Sequence, residues 1–448
     1  MSISNIMNIS KQPLLAHQSA IDTTSNNISN MNTEGYSRRL TNFDQGLGIN
    51  NVNQNISKET VARVRNQFLE KQYMQQNSYY NKYKMDKTIA QQIEDIFSEP
   101  GEAGLSNSLS EFWTAWSDLA NDPESQSVRT VVKDKSQALS NTFNRIYNDL
   151  NQLQDSLKND LSGVLNKVNQ KLEELNNINK RLNTTQSEDL MDQRDQTLNE
   201  LSELININTN IGDNGKVSVY SSGQILVTEN QSKSLEFNTL QEGDEKTLQV
   251  IAGSEDNPLQ IKSGEIGSLL TMYNENIPKY QDQLNTLASE LAKQVNEIHR
   301  SGYNLDNQTG INFFAEGIKT AGDFKLNKAI EDNAALIATS DQENESGNNN
   351  IAQSVSNLQN KSIVKGVAPS DFYGSLITEI GSKVQESEYL SSSQNKVVQT
   401  LQNQRDSSSG VSLDEEMINL TKYEQGYQAA AKVVNTVNDM MATVLNLV

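Results

Sequence analysis

The chain has 448 residues, no cysteine, 37 lysines and arginines against 57 acidic residues, and a formal net charge of -20. The charge excludes a nucleic-acid binder, because the cations are scattered through acidic segments and pairs such as Arg38-Arg39 are too short to make a basic patch. The absent cysteines exclude disulfides and thiol chemistry, no run approaches the roughly 20 apolar residues of a membrane span, and residues 1–31 lack the charged start and apolar core of a Sec-type signal.

Only 35% of the residues are hydrophobic, yet the periodicities are strong, which points to slender helical packing and not to disorder. Met7, Leu14, Ile21 and Ile28 recur every seventh residue, flanked by Ile3 and Met31, as one column of a coiled-coil helix. Pro13 removes an amide donor inside that column, so the helix is expected to start near Ser10 or to kink there. Asn30 to Gly35 carries turn residues, with Gly35 able to take a positive φ, and Thr41 to Asn55 reads as a polar loop. Helical signals return from Lys58 to Phe97. Leu105 to Leu119 is a short amphipathic piece in which Trp113 and Trp116 are expected to be core anchors.

The longest pattern follows. Phe143, Ile146, Leu150, Leu153, Leu157, Leu161, Val164, Val168, Leu172, Leu175, Ile178 and Leu182 step by three and four and so form one helical stripe. Each fully covered side chain there is worth roughly 1.5–3 kcal/mol, so the stripe must lie against other helices. After a helix over Leu190 to Ile207 the period becomes alternating, and short strands near Val217, Ile225, Leu235 and Leu248 are expected to make one small β domain, residues 207–261. Ile277 to Ile298 resumes a helical seam, and Phe372 to Leu401 is the last helix before the terminal one.

Gly410 to Val448 is a long amphipathic helix with no partner beside it in sequence. Ser412 and Glu415 form a capping box, and Asp414, Glu415 and Glu416 suit the positive end of the helix dipole. Leu413, Leu420, Tyr427, Val434, Met441 and Val448 make a seventh-residue column, with Met417, Ala431 and Leu445 in a second column that Glu424 and Asn438 interrupt. Gly426 costs roughly 1 kcal/mol against Ala without ending the helix. The N-terminal column is the matching partner, so the two ends of the chain are expected to pair.

Chemistry is not in view. The two histidines, His17 and His299, sit in separate amphipathic segments and are expected to pack. Asp306 to Gly310 fails the spacing of a calcium loop, and no phosphate loop, dinucleotide fingerprint or nucleophile elbow appears. No cofactor, metal or enzymatic activity is expected.

The stretch Ser25 to Arg38, with Asn26, Asn27, Asn30, Asn32, Thr33, Gly35, Tyr36 and Arg38, resembles the signature that opens bacterial flagellar rod, hook and hook-associated proteins. Gly410 to Met417, Asn419-Leu420 and Tyr427 to Ala431 are similar to the closing helix of that family, and Leu190 to Gln196 and His299 to Tyr303 also fit. The resemblance implies a structural adaptor that self-assembles as a ring at the hook tip. Its implied partners are the hook protein, a second hook-associated junction protein on the filament side, and an export chaperone at the C-terminal helix. It implies an extracellular place in the flagellum, reached by type III export without a cleaved signal peptide. A hook or rod subunit, or a secreted enzyme on a flagellar scaffold, is the alternative.

The expected fold is mainly α: an elongated rod with a terminal coiled-coil domain (residues 1–45 and 405–448), a helical middle domain (46–206 and 262–404) and the inserted β domain. Neither nucleic acid nor membrane is an expected partner.

Overall fold

The computed structural model describes residues 3–33, 35–43, 60–97, 104–212, 214–242, 245–253 and 257–445. The chain is mainly α. Helix α1 (Ile3–Ser29) leads to strands β1 (Arg39–Asn42) and β2 (Thr60–Arg63), then α2 (Gln67–Phe97), α3 (Leu105–Asn121), α4 (Gln126–Leu182) and α5 (Glu188–Leu204). Five strands follow: β3 (Asn208–Ile211), β4 (Val217–Ser221), β5 (Gln224–Val227), β6 (Leu235–Glu242) and β7 (Glu245–Ala252). Helix α6 (Gly264–Thr271) runs through a π turn (Met272–Asn276) into α7 (Ile277–His299), and the short α8 (Lys328–Asp332) and α9 (Asn350–Ser356) precede α10 (Pro369–Ser409) and α11 (Leu413–Leu445).

Two compact units result: residues 1–78, 168–234 and 395–448, and residues 79–167 and 235–394. Helices α2, α4 and α10 are shared between them. Eleven of the twelve residues of the α4 stripe are buried and Leu153 is partly so, as a continuous three-and-four spacing requires.

Three expectations are corrected. First, α1 begins by Ile3 and not near Ser10, with Pro13 inside the helix. Second, the strands of 207–261 do not make one β domain. The antiparallel sheet β3-β4-β5 belongs to the first unit and the β6-β7 hairpin to the second. The cause is two separate side-chain clips. Buried Asn179 of α4 donates to the carbonyls of Val217 (2.8 Å) and Thr228 (3.0 Å) and accepts from the Val217 amide (2.9 Å). Asn274, in the π turn, instead holds Leu248 through both its amide (2.8 Å) and carbonyl (2.9 Å). Pro278, the second residue of α7, cannot donate to the helical ladder. Third, β1 pairs with β2 with Arg39 opposite Arg63, where a loop had been expected from Thr41 and a helix from Lys58. Residues 44–55 of that loop lie outside the described residues.

The second unit closes on aromatic rings. Phe112, Trp113, Trp116, Phe313, Phe314 and Phe324 are all buried, and Trp116 and Phe313 stand 5.0 Å apart between ring centres. His299 lies against both. The Ala338 amide donates to its Nε2 (2.8 Å), so Nδ1 carries the hydrogen and donates to the Ile311 carbonyl (2.7 Å). Burial pushes the imidazole down to about 4, and it is a neutral packing residue. Buried Arg129 is satisfied by the carbonyls of Pro123 and Ile337 and the Thr339 hydroxyl, and its burial pulls the guanidinium down to about 10.

Candidate assembly site at the paired termini

Helices α1 and α11 pack on one another within the first unit. On α11 Glu416 and Ala430 are buried, and with the partly covered Leu420, Tyr423, Tyr427, Val434, Val437 and Met441 they alternate steps of four and three. The column of Leu420, Tyr427, Val434 and Met441 therefore faces α1. Its mate is Glu416, Tyr423, Ala430 and Val437, one residue before the expected Met417 and Ala431. Leu413 and Met417 are exposed, 44% and 51%, while Ala431 is covered to the same partial degree as Leu420 and Tyr427. Glu424 and Asn438 are exposed and interrupt nothing. The Leu445 side chain lies outside the described ones.

On α1 the buried positions are Ala20, Thr23, Thr24 and Asn27, which are small or polar, while Met7, Leu14, Ile21 and Ile28 are only partly covered. The close approach is made by His17. Its ring lies over Gly426, where an added Cβ would meet Cε1 at 2.5 Å and Nε2 at 2.6 Å, and the rings of Phe43 and Tyr423 flank it at 5.9 and 6.4 Å. Gly426 is thus a contact surface, and its cost in helix propensity is the condition for that contact.

The signature residues form a polar knot at the end of this pair. The Asn27 side chain, 1% exposed, uses its full hydrogen-bonding capacity. Nδ2 donates to the Arg39 carbonyl (2.9 Å) and to Glu416 Oε2 (3.0 Å), while Oδ1 accepts from the Tyr36 hydroxyl (2.9 Å) and the Arg39 amide (3.0 Å). Glu416 Oε1 takes Arg38 Nε at 2.8 Å, and Arg38 Nη1 reaches Glu415 at 2.8 Å. Glu415, expected to fold back on Ser412, is therefore engaged across the chain. Asn30 Nδ2 closes the turn on the Asn26 carbonyl (2.9 Å), Thr33 Oγ1 donates to Asn30 Oδ1 (3.3 Å), and Gly35 takes φ +81°. Asn26, Asn32 and Thr33 are exposed. Burial raises the Tyr36 phenol, with the nearby acids adding to it and Arg39, 4.9 Å from the ring centre, opposing it.

The hairpin next to the knot is tied to α5 by charge. Asp189, Asp192 and Asp195 recur every third residue on one face of α5, and the cross-strand neighbours Arg39 and Arg63 point the same way. Arg39 meets Asp189 and Asp192; Arg63 meets Glu188 (3.2 Å), Asp192 (2.8 Å) and Asp195 (2.9 Å). Arg65 pairs with Asp195 and with Glu70 (2.8 Å), and Arg405 of α10 shares Glu70 (2.9 Å). Burial works against the Arg63 charge, but Asp195 and Asp192 outweigh it and hold the guanidinium above its ordinary value. These arginines gave no signal as an isolated basic run. The helical spacing of the three aspartates was the readable clue.

This arrangement holds chain segments together and presents no reacting group. Among the described residues no set of three or more His, Asp or Glu is placed to hold a metal ion, and no described helix is long and apolar enough to cross a membrane. Among the exposed residues are several apolar ones: Leu413, Met417, Ile418, Val433 and Met440 of α11 and Leu15 of α1.

Sequence comparison agrees with this geography. The flagellar hook-associated protein FlgK helical domain family matches residues 90–314, half of the chain. The flagella basal body rod protein family matches residues 7–36, and the flagellar basal body rod FlgEFG protein C-terminal family matches residues 402–447. Flagellar hook-associated protein 1 of Bacillus subtilis (strain 168) is 29% identical, covering 97% of this chain and 96% of its own length. Its counterpart in Escherichia coli (strain K12) is 22% identical over 99% of this chain and 100% of its own. The solved structure of the flagellar hook junction protein FlgK from Burkholderia pseudomallei superposes with a TM-score of 0.68 at 15% identity, over 76% of this chain and 100% of that one, and shares the fold. The chain belongs to the FlgK family of flagellar hook-associated proteins.

Proposed function

We infer that this chain is a structural adaptor that assembles at the hook tip and joins hook to filament. The supporting observation is that α11 spends one face on α1 and still exposes Leu413, Met417, Ile418, Val433 and Met440, a set that a monomer has no use for and an assembly can bury. Its partners in this reading are neighbouring copies in a ring, the hook protein on one side and a second hook-associated junction protein on the other. An export chaperone covers the C-terminal helix beforehand. The protein acts outside the cell, in the flagellum. A rod or hook subunit is the second reading, favoured by the matches at residues 7–36 and 402–447, but it leaves the match over 90–314 unaccounted for.

The test is Met417→Asp with Ile418→Asp. Both side chains are exposed, so the monomer should melt as the parent does while the secreted protein fails to stay on hooks. Normal retention on hooks would remove α11's open face from the account.

A further inference from the structure

Asn27 and Glu416 stand 389 positions apart, are each 1% exposed, and each completes the other's hydrogen bonds. Glu416 Oε2 takes a hydrogen of the Asn27 amide, and its Oε1 takes Arg38 Nε. The Arg38 backbone is gripped from two sides: its amide donates to the Ser409 carbonyl (3.0 Å), and its own carbonyl accepts from the Val64 amide (2.8 Å). One residue of the arm thus joins the end of α10, the exit of β2 and the first turn of α11. Gly410 completes the junction, because a Cβ there would sit 2.3 Å from the Asp406 carbonyl oxygen.

We propose that this knot is a closing latch. The end of α1, the arm 36–39, the β1-β2 hairpin and the first turn of α11 lock in one step, and the N-terminal parts stay open until residues 409–416 reach them. Partial closure is the least favourable arrangement. With Glu416 missing, buried Asn27 keeps an amide hydrogen short of an acceptor and the half-buried Arg38 keeps only Glu415; with Asn27 and Arg38 missing, the Glu416 carboxylate loses both of its partners. The proposal concerns the chain itself and holds whatever the protein joins.

Amide hydrogen exchange on the full-length chain tests it. In the parent, segments 20–29, 36–42, 60–64 and 412–420 should exchange through one shared opening, with equal protection. Glu416→Gln keeps the shape and removes the charge, and should lower protection in all four segments by the same factor, tenfold or more, with Leu139–Leu161 of the second unit unchanged. Arg38→Gln should do the same. Val434→Ala, in the seam but away from the knot, should loosen only the later part of α11. Loss confined to 412–420 in Glu416→Gln would overturn the latch. So would an equal loss in all four segments in Val434→Ala, since the cooperativity would then belong to the whole helix pair.

Discussion

Gly426→Ala sets two terms of known size against each other. The change favours α11 by about 1 kcal/mol in helix propensity. It also places a methyl group 2.5–2.8 Å from three atoms of the His17 ring, which Phe43 and Tyr423 hem in. Overpacking of this kind costs about 1–3 kcal/mol, and pushing the ring away also gives up its aromatic contacts, about 0.5–1.5 kcal/mol each. The sum is a net loss of about 1–5 kcal/mol in the pairing of the termini, at least about a fivefold rise in the open fraction. Hydrogen exchange of Ala20–Ile28 reads that fraction directly. In a His17→Ala background the clash is gone and only the propensity gain remains, so the same substitution should stabilise the pair by about 1 kcal/mol. If Gly426→Ala stabilises the pair in the presence of His17, or costs the same without it, the contact is not what holds glycine at this position.

Three further outcomes follow from the packing. His299 resists protonation down to about pH 4 when folded, while an unfolded chain takes the proton near 6.5, so stability should be intact above 6.5 and fall by about 1.4 kcal/mol per pH unit from there to 4, about 3 kcal/mol in all. Urea unfolding between pH 4 and 7 should show that slope in the second unit, and His299→Gln should abolish it. Asn179→Ala strands the buried carbonyl and amide of Val217 and the part-buried Thr228 carbonyl and should cost about 3 kcal/mol, with exchange protection lost first in β4 and β5; protection unchanged there would mean the strands hold without the clip. Leu420→Asp puts a carboxylate in the seam, so the second unit should melt as before while the protein is shed into the medium, and normal incorporation into hooks would count against the seam.

The seventh-residue spacing of Leu420, Tyr427, Val434 and Met441 was plain in the sequence, and all four side chains are partly covered. The mate of that column was not plain. Met417 is apolar and Glu416 is charged, so any local rule prefers the former, but Glu416 is covered because Arg38 and Asn27 arrive from the far end of the chain. The burial of Trp113 and Trp116 followed from their size. The alternation in β4 and β7 was equally plain, but their assignment to different sheets rests on Asn179 and Asn274, polar residues within helical turns that no periodicity marks. Strands β1 and β2 have four residues each and draw their stability from Arg39 and Arg63 against α5, so they carry no apolar pattern. The signature was recognisable as a string of asparagines with Gly35, Tyr36 and Arg38. Its physical content, an amide with all its hydrogen bonds spoken for inside the chain, needed the fold.

The most direct measurement of the central claim is electron microscopy of cells that lack this chain. An adaptor between hook and filament predicts complete but bare hooks, with filament subunits recovered from the medium and filaments restored by the intact gene but not by the Met417→Asp, Ile418→Asp variant. Full-length filaments on cells without the chain would contradict it.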